Sequence, residues 1–381
     1  MKTSQIHLKR SDWSPTEVAR LRQIEPQVVL GFGNVDWLST DGFLAKLNRE
    51  VGAPCFVGCS TAGEITNKGR FDDTLVLTAI HFDDAHSKVE ARIFAVQKSQ
   101  TETGAVIGQA FARPHLKAIL LFTSIGSLDG SALLEELKRV VGPEVHISGG
   151  IAGDSGRFKQ SVVFNGAEAS TTGVLAVAFY GESLTTQHGV GTGFQAFGNV
   201  RTVTKASNST VLEIDGRPAL DVYKEALGKH AAELPANGLM FPFSVLDENN
   251  HESGLIRAVM TIDEPTKAIV LAGDLKSGSR VKLMRAHNQS LVEGARSAAT
   301  HAAGLKVPPH SLGLMISCVA RKFVMGDAID DELEAVTAEL KNCDDYTGFY
   351  AYGEFGPFYS QQDCQLHNQT ITIMVLSEAQ A

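Results

Sequence analysis

Three short segments place a glycine directly before an acid, and their carboxylates are the first candidates for chemistry. The pairs are Gly63-Glu64, Gly153-Asp154 and Gly353-Glu354. A carboxylate can bind an ammonium group, and turn glycines can offer N–H donors to a small polar ligand. If the segments pack around one axis, the three acids converge. In the alternative interpretation, which we favour, each acid accepts hydrogen bonds from its own turn.

One of the twelve histidines lies in a setting suited to haem or a metal. His188 is followed by Gly189, Gly191 and Phe194. Glycines permit the close approach of a flat ligand, and imidazole is the usual axial ligand of haem iron. The segment therefore predicts His188 as a haem or metal ligand, and the alternative is a polar residue in a mobile loop. Covalent haem attachment is disfavoured because Cys-x-x-Cys-His is absent.

The five cysteines raise a catalytic alternative. Cys55 and Cys59 are four residues apart, and without Cys-x-x-Cys a zinc or redox pair is disfavoured. Cys59 begins a glycine loop and is a candidate exposed nucleophile. Cys318 precedes Arg321, whose charge would lower the thiol pKa, although a buried core position is the preferred interpretation there. Binding ranks above catalysis, because neighbouring motifs supply no nucleophile, base and orienting group together.

Bulk properties narrow the classes of function. A chain of 381 residues predicts two or more domains, since single cores rarely grow past roughly 250–300 residues. The net charge of -9 argues against a general nucleic-acid binder. The N-terminus lacks the apolar segment of a signal peptide, and no apolar run approaches the roughly 20 residues that span a bilayer. With five cysteines, an odd and sparse set, these features predict a cytoplasmic protein with reduced thiols.

The elements that position these residues form a repeated α/β pattern. Apolar runs at residues 28–32, 118–122 and 312–316 predict strands covered on both faces. Each is followed by an amphipathic helical stripe, a glycine-rich return and a further strand. The glycine–acid pairs are separated by 153 − 63 = 90 and 353 − 153 = 200 residues. The second spacing raises the hypothesis of a divergent further unit between them.

The rest of the chain predicts three segments of different character. Residues 1–26 are predicted to be a polar N-terminal extension with a short helix at 16–23. Shorter strands in a meander are expected between residues 239 and 271, and an alanine-rich helix at 291–303. The predicted domains are therefore 27–222 and 223–381.

Four segments together resemble the FIST sensory proteins. The segments are residues 58–65 (Gly-Cys-Ser-Thr-Ala-Gly-Glu-Ile), 148–154 (Ser-Gly-Gly-Ile-Ala-Gly-Asp), 211–223 (Val-Leu-Glu-Ile-Asp-Gly-Arg-Pro-Ala-Leu-Asp-Val-Tyr) and 317–321 with 348–355. Each motif alone is weak, but all of them occur in the family's order from about Gln27 to Ser377. The resemblance implies a two-domain FIST architecture of repeated strand–helix–strand units in mixed sheets.

The resemblance also implies a non-enzymatic sensor in signal transduction. One stand-alone branch of the family, similar in length, binds haem, senses nitric oxide and controls a partner histidine kinase. Because His188 is a candidate axial ligand, haem is the ligand that we expect first. The alternative is a small polar ligand such as an amino acid, and a cysteine-dependent enzyme is the second alternative. The predicted ligand-binding residues are Glu64, Asp154, Arg321, Tyr352 and Glu354.

The chain shows no kinase, cyclase or transmembrane segment in its sequence. We therefore expect it to signal through a histidine kinase or another signalling protein in trans. The sequence leaves open whether the protein forms a homo-oligomer.

Overall fold

The computed structural model describes residues 1–126, 130–304, 306–357 and 364–379, and it confirms the predicted mixed α/β class. In this part of the chain the strands, numbered in order, are β1 (Lys2–Leu8), β2 (Val28–Gly33), β3 (Cys55–Ser60), β4 (Glu64–Thr66), β5 (Gly69–Phe71), β6 (Leu75–His81), β7 (Lys88–Ala95), β8 (Leu116–Thr123), β9 (His146–Ile151), β10 (Val163–Asn165), β11 (Glu168–Ser170), β12 (Gly173–Tyr180), β13 (Leu184–Gly191), β14 (Gln195–Ser207), β15 (Thr210–Ile214), β16 (Arg217–Pro218), β17 (Phe243–Leu246), β18 (Glu252–Arg257), β19 (Val259–Asp263), β20 (Ala268–Leu271), β21 (Arg280–Arg285), β22 (Ser311–Cys318), β23 (Cys343–Ala351), β24 (Glu354–Pro357), β25 (Cys364–His367) and β26 (Ile371–Glu378).

The helices of the described residues cover the sheets from outside. They are α1 (Pro15–Val18), α2 (Val35–Leu38), α3 (Phe43–Val51), α4 (Gln100–Phe111), α5 (Ser131–Val141), α6 (Ala219–Leu227), α7 (Asn288–Ala303), α8 (Val319–Met325) and α9 (Ile329–Glu339). Short 3-10 segments occupy Ala19–Ile24, Gly228–Glu233, Ala236–Met240 and Gly326–Ala328. None of these helices combines the length and apolar character that a membrane crossing requires.

Three units repeat one arrangement, as the sequence pattern predicts. In each unit two parallel strands are joined by a helical crossover, and a third strand runs antiparallel to the first. The strand sets are β2–β3–β6, β8–β9–β12 and β22–β23–β26. The first strands are almost wholly buried because helices cover one face and the other units cover the second.

The hairpin that follows each return joins the sheet of a different unit. Strand β4 pairs with β23, β10 pairs with β3, and β24 pairs with β9. Each unit thus gives one hairpin and receives one, and the exchange is cyclic. It brings the three glycine-rich returns to the same end of the three sheets.

The inner faces of the three sheets share one apolar core. Phe32, Phe122 and Phe349 each contribute a ring, and the three centroid separations are 5.7, 4.8 and 5.8 Å. The outer faces pack separately beneath their own helices: α3 for the first unit, α4 and α5 for the second, and α7 and α9 for the third. The units therefore surround a common axis.

Residues 195–285 form an inserted antiparallel domain with its own core. Strands β14 to β21 make one sheet, and α6 packs against it through Leu220 and Tyr223. The predicted meander is present here, but the hypothesis of a divergent further unit is wrong. The doubled spacing between the second and third returns arises because this insertion separates β13 from α7 and β22.

The N-terminal segment contributes an edge strand that the sequence prediction missed. Strand β1 runs antiparallel to β6 along its whole length. Its residues are mostly polar and partly exposed, so the sequence shows no apolar run or alternation that would mark a strand. The helix predicted at 16–23 divides into α1 and the 3-10 segment Ala19–Ile24.

Candidate functional site

The three returns, residues 61–64, 151–154 and 352–354, lie against one another. Backbone hydrogen bonds join them in pairs: the Ala62 N–H donates to the Tyr350 carbonyl oxygen (2.9 Å), Gly153 N–H to that of Ser60 (3.0 Å), and Ile151 N–H to that of Gly353 (2.8 Å). Two glycines allow this approach. A Cβ on Gly153 would lie 2.5 Å from the Ala62 nitrogen, and one on Gly150 would lie 2.6 Å from the Gly353 carbonyl oxygen.

Glu64 and Glu354 are buried and hold equivalent positions. Glu64 accepts hydrogen bonds from the hydroxyl and N–H groups of Thr74 and from the Thr61 hydroxyl. Glu354 accepts from the Thr370 hydroxyl at 2.9 Å and from its N–H at 3.3 Å. Both threonines directly precede the antiparallel strand of the unit. Each glutamate therefore ties its return to the start of that strand.

Burial raises the pKa of both glutamates. The pKa of Glu64 lies at about 7, because desolvation outweighs the hydrogen bonds from Thr61 and Thr74. The pKa of Glu354 lies at about 8, again because desolvation outweighs the bonds from Thr370. Both carboxyl groups therefore take up protons close to neutral pH.

Asp154 differs from the two glutamates because its oxygens receive backbone donors. The N–H groups of Phe158, Lys159 and Gln160 donate to it at 2.8, 2.7 and 3.0 Å, and the Tyr352 hydroxyl donates as well. Burial raises the pKa of Asp154, but these bonds outweigh it and hold the pKa below its ordinary value. The carboxylate stays ionised and fixes the loop that follows the second return.

This loop carries an aromatic cluster at the protein surface. The Tyr352 ring stacks on Phe158 with centroids 4.1 Å apart and planes at 18°. Phe323, on α8, lies over Gly156 of the same loop. Phe158 is 38% exposed and Phe323 50% exposed. Large aromatic side chains exposed together indicate an interaction site.

Charged side chains of both signs border the aromatic cluster. Lys322 donates to the Ala62 carbonyl oxygen at 3.0 Å and forms an ion pair with Asp72. Arg157 pairs with Asp36 at 3.0 Å. We call the surface formed by these charged pairs and the aromatic cluster the return-loop site. Of the residues at this site, only the half-buried Tyr352 was predicted to bind a ligand. Lys322 and Phe158 follow the predicted residues Arg321 and Asp154 by one and four positions.

Arg321 is buried and saturated by protein acceptors. Its Nε and Nη2 groups bind Glu332, Nη2 also donates to the Leu291 carbonyl oxygen, and Nη1 donates to those of Thr192 and Gln369. Four hydrogen bonds and the ion pair with Glu332 therefore engage all three nitrogens of the guanidinium. The arginine predicted to bind a ligand instead joins the elements of the third unit.

His188 lies within β13, so its alternative interpretation as a mobile-loop residue is wrong. The neighbouring glycines face α7. A Cβ on Gly189 would lie 1.9 Å from the Ala298 carbonyl oxygen, and one on Gly191 would lie 2.0 Å from that of Gly294. Gly189 and Gly191 do permit a close approach, but the group that approaches them is helix α7 and not a ligand.

The His188 ring is partly covered by protein, and both of its nitrogens are buried. It meets the His146 ring edge to face, with centroids 4.5 Å apart. Burial, then the charges of neighbouring His146 and Lys138, lowers the pKa of His188 well below its ordinary value. Phe194 is 5% exposed in the core beneath α7. No group of three or more His, Cys, Asp or Glu side chains in the described ranges is arranged to hold a metal ion.

All five cysteines are buried free thiols. Cys59 lies in β3 with no exposed surface, so the prediction of an exposed nucleophile is wrong. Cys318 is 4% exposed, which confirms the preferred interpretation of a buried core position. Burial and then the Glu354 charge raise its pKa well above its ordinary value, so the alternative of a pKa lowered by Arg321 is wrong. Burial raises the pKa of Cys55 to about 12, and it raises the pKa of Cys59 well above its ordinary value. These thiols are poor nucleophiles.

Comparison with known proteins finds two domain profiles that follow each other along the chain. The FIST N domain matches residues 27–217, and the FIST C domain matches residues 219–357. No curated protein matches the chain. A solved structure, a cyanuric acid hydrolase from A. caulinodans, aligns with 100% of this chain and 99% of its own at 7% sequence identity. Its TM-score of 0.38 is too low to support any argument about this protein.

Proposed function

This chain belongs to the FIST family, and from that premise we propose that it is a ligand-binding sensor whose ligand occupies the return-loop site. The FIST N and FIST C domains indicate a role in signal transduction together with other signalling proteins. The partner that we propose is a histidine kinase or another signalling protein acting in trans.

The meeting of the three returns carries this proposal. A ligand at the return-loop site contacts the first unit through Asp72, the second through Phe158 and the third through Phe323 and Lys322. Binding there favours one relative arrangement of three packed units over others. A ligand shifts a conformational equilibrium only through different contacts in the two states, and a junction of units offers such contacts.

The side chains at the site favour a small zwitterion with an apolar part, such as an amino acid. Lys322 and Arg157 can bind a carboxylate, and Asp72 can bind an ammonium group. Phe158 and Phe323 offer exposed rings to an apolar side chain. Glu64 and Glu354 fix two of the returns, and Arg321 anchors α8, the helix that carries Lys322 and Phe323.

Replacing Phe323 by alanine together with Lys322 by methionine is expected to abolish this binding. In the wild type, an amino acid at 100 times its Kd should raise the free energy of unfolding by about 2.7 kcal/mol. The double variant loses both the exposed ring and the carboxylate partner, so we expect no stabilisation. Thermal unfolding of the wild type and the variant in the presence of each of the twenty amino acids measures the stabilisation. Calorimetric titration with the most stabilising amino acid then measures its Kd for each protein.

The matched control is Met260→Ala with Lys276→Met, which removes an exposed apolar residue and an exposed lysine in the inserted domain. It should respond to the ligand as the wild type does. Ligand stabilisation of the Phe323→Ala, Lys322→Met variant at wild-type strength would contradict the assignment of the site.

A haem at His188, with nitric oxide sensing, is the finer possibility that the family resemblance raised. The residues do not fit it in this structure, because α7 fills the space over Gly189 and Gly191 and Phe194 is packed in the core. We therefore expect His188→Ala to leave the absorption spectrum unchanged when haem is titrated into the protein. A Soret band present in the wild type and lost in this variant, with His301→Ala as the control, would establish His188 as the ligand.

We also propose binding in preference to cysteine catalysis. The two candidate nucleophiles, Cys59 and Cys318, are buried with raised pKa values. A nucleophilic thiol needs access to substrate and a pKa lowered toward neutrality. Neither candidate has either property.

A further inference from the structure

The inserted domain contains a cleft of about 320 Å³ between α6 and its sheet. The apolar part of its wall is formed by Phe197, Ile214, Val222, Tyr223, Phe243 and Leu283. The Tyr223 and Phe243 rings lie 5.5 Å apart. Because the Tyr223 hydroxyl donates to the Phe241 carbonyl oxygen at 2.9 Å, this residue offers its ring, and not its polar group, to the cleft.

An irregular bulge in β14 borders this cleft, because Gly198 and Asn199 of the bulge line it. Phe197 pairs with Leu283 and Arg201 with Val281, so residues 198–200 face a single residue of β21. Gly198 has a φ of 73°, and a Cβ there would meet no atom within 4 Å. Bulges re-aim side chains and are frequent beside functional sites. Here the bulge brings backbone and polar side chains to the rim of an apolar cleft.

The rim combines a small residue with polar groups. Ala226 of α6 lines the cleft and is exposed, so a large side chain at that position would close the mouth. Arg201 and Asn199 also line it. Arg201 pairs with Asp215 at 3.0 Å, which holds the guanidinium at the rim. One further basic residue, Arg285, lies on the adjacent β21, and its guanidinium is 5.4 Å from the Phe197 ring centroid.

We propose that this cleft is a second ligand site, separate from the return-loop site, and that it binds a small aromatic carboxylate. Ligand pockets are concave and mostly apolar, with a few polar groups that orient the ligand. The volume corresponds to about ten water molecules at roughly 30 Å³ each, which suits a single ring with a short substituent. The ring packs between Phe197, Tyr223 and Phe243, and the carboxylate faces Arg201 and Asn199.

Benzoate is the probe that tests this site. Calorimetric titration should detect benzoate binding to the full chain and find acetate, which lacks the ring, and benzylamine, which reverses the charge, at least tenfold weaker. Ala226→Phe should weaken benzoate binding at least tenfold by occupying the mouth. Arg201→Gln should weaken benzoate about tenfold and leave the binding of benzyl alcohol within twofold of the wild type.

Two controls keep the outcome decisive. Ala232→Phe adds the same ring at an exposed alanine that does not line the cleft, and Arg217→Gln removes an exposed arginine paired with Glu225. Both should bind benzoate as the wild type does, and circular dichroism should show all variants folded. Absence of benzoate binding, or unchanged binding in a folded Ala226→Phe variant, overturns the proposal.

The assignments of the two sites are tested independently of each other. The Phe323→Ala, Lys322→Met variant alters only the return-loop site, so it should keep full affinity for benzoate. Loss of benzoate binding in that variant would show that the probe occupies the return-loop site, and it would overturn the assignment to the cleft.

Discussion

Arg321→Met is expected to lower the free energy of unfolding by about 3–5 kcal/mol. The substitution leaves Glu332 buried without its cation and removes donors from the carbonyl oxygens of Thr192, Gln369 and Leu291. Breaking one partner of a buried ion pair is costly because the other charge remains desolvated. Urea unfolding, followed by circular dichroism, measures the difference.

Two comparisons separate this cause from a general loss of side-chain volume. Arg217→Gln breaks the exposed pair with Glu225 and should cost less than about 1 kcal/mol. The double variant Arg321→Met, Glu332→Leu should be more stable than Arg321→Met alone, because it leaves no buried charge unpaired. An Arg321→Met protein within 1 kcal/mol of the wild type would refute the role assigned to this ion pair.

Glu354→Gln is expected to stabilise the protein at alkaline pH relative to the wild type. The Glu354 pKa of about 8 against an ordinary 4.5 means that the folded state favours the neutral acid. Its contribution is fully present below pH 4.5 and is lost as the pH rises through 8, an effect on the order of 5 kcal/mol. Glutamine resembles the neutral acid and keeps an oxygen for the Thr370 donors, so that loss should disappear.

The measurement is urea unfolding of both proteins at pH 5, 7 and 9. The difference between Glu354→Gln and the wild type should move in favour of the variant as the pH rises. Glu334→Gln, an exposed glutamate on α9, is the control and should show no such trend. A difference that stays constant from pH 5 to 9 would mean that Glu354 is already ionised in the folded protein.

Three histidines with lowered pKa values make the stability fall toward acid pH. Burial lowers the pKa of His146 and of His367 to about 4 and that of His188 well below its ordinary value of 6.5. Their contribution to stability is present above pH 6.5 and is lost as the pH falls below it. Because the contribution of Glu64 and Glu354 is lost toward alkaline pH, we expect these five groups to lower the free energy of unfolding on both the acid and the alkaline side of neutral pH.

The repeated units were predictable because their strands are buried on both faces. Continuous apolar runs such as residues 28–32 and 312–316 mark such strands without any alternation. Strand β1 lacks this mark, since polar residues along an edge strand leave no periodic signal. The hairpin exchange could not be predicted from the sequence, because the pairing of β4 with β23 joins residues at least 347 − 66 = 281 positions apart and leaves no local pattern.

The sequence pointed to the three returns, and whether a ligand binds beside them stays a prediction. Their glycines were predicted to offer N–H donors to a ligand, whereas in the structure Gly150 and Gly153 let one return approach another. Gly189 was predicted to admit a flat ligand, but it admits helix α7 instead. A glycine in the sequence does not show which of the two approaches it. The exposure of Phe158 and Phe323 depends on how three units meet, so neither residue stood out before the fold was known.

The cyclic exchange of hairpins makes the three units mechanically interdependent. The sheet of the third unit is completed by β4 and β13 from the FIST N domain, and that of the second by β24 from the FIST C domain. Either domain alone would expose strand edges that invite aggregation, so the two sequence domains form one folding unit. Each unit also shares a hydrogen-bonded strand pair with the unit that receives its hairpin, so a displacement of one return would strain the pairing in a neighbouring sheet.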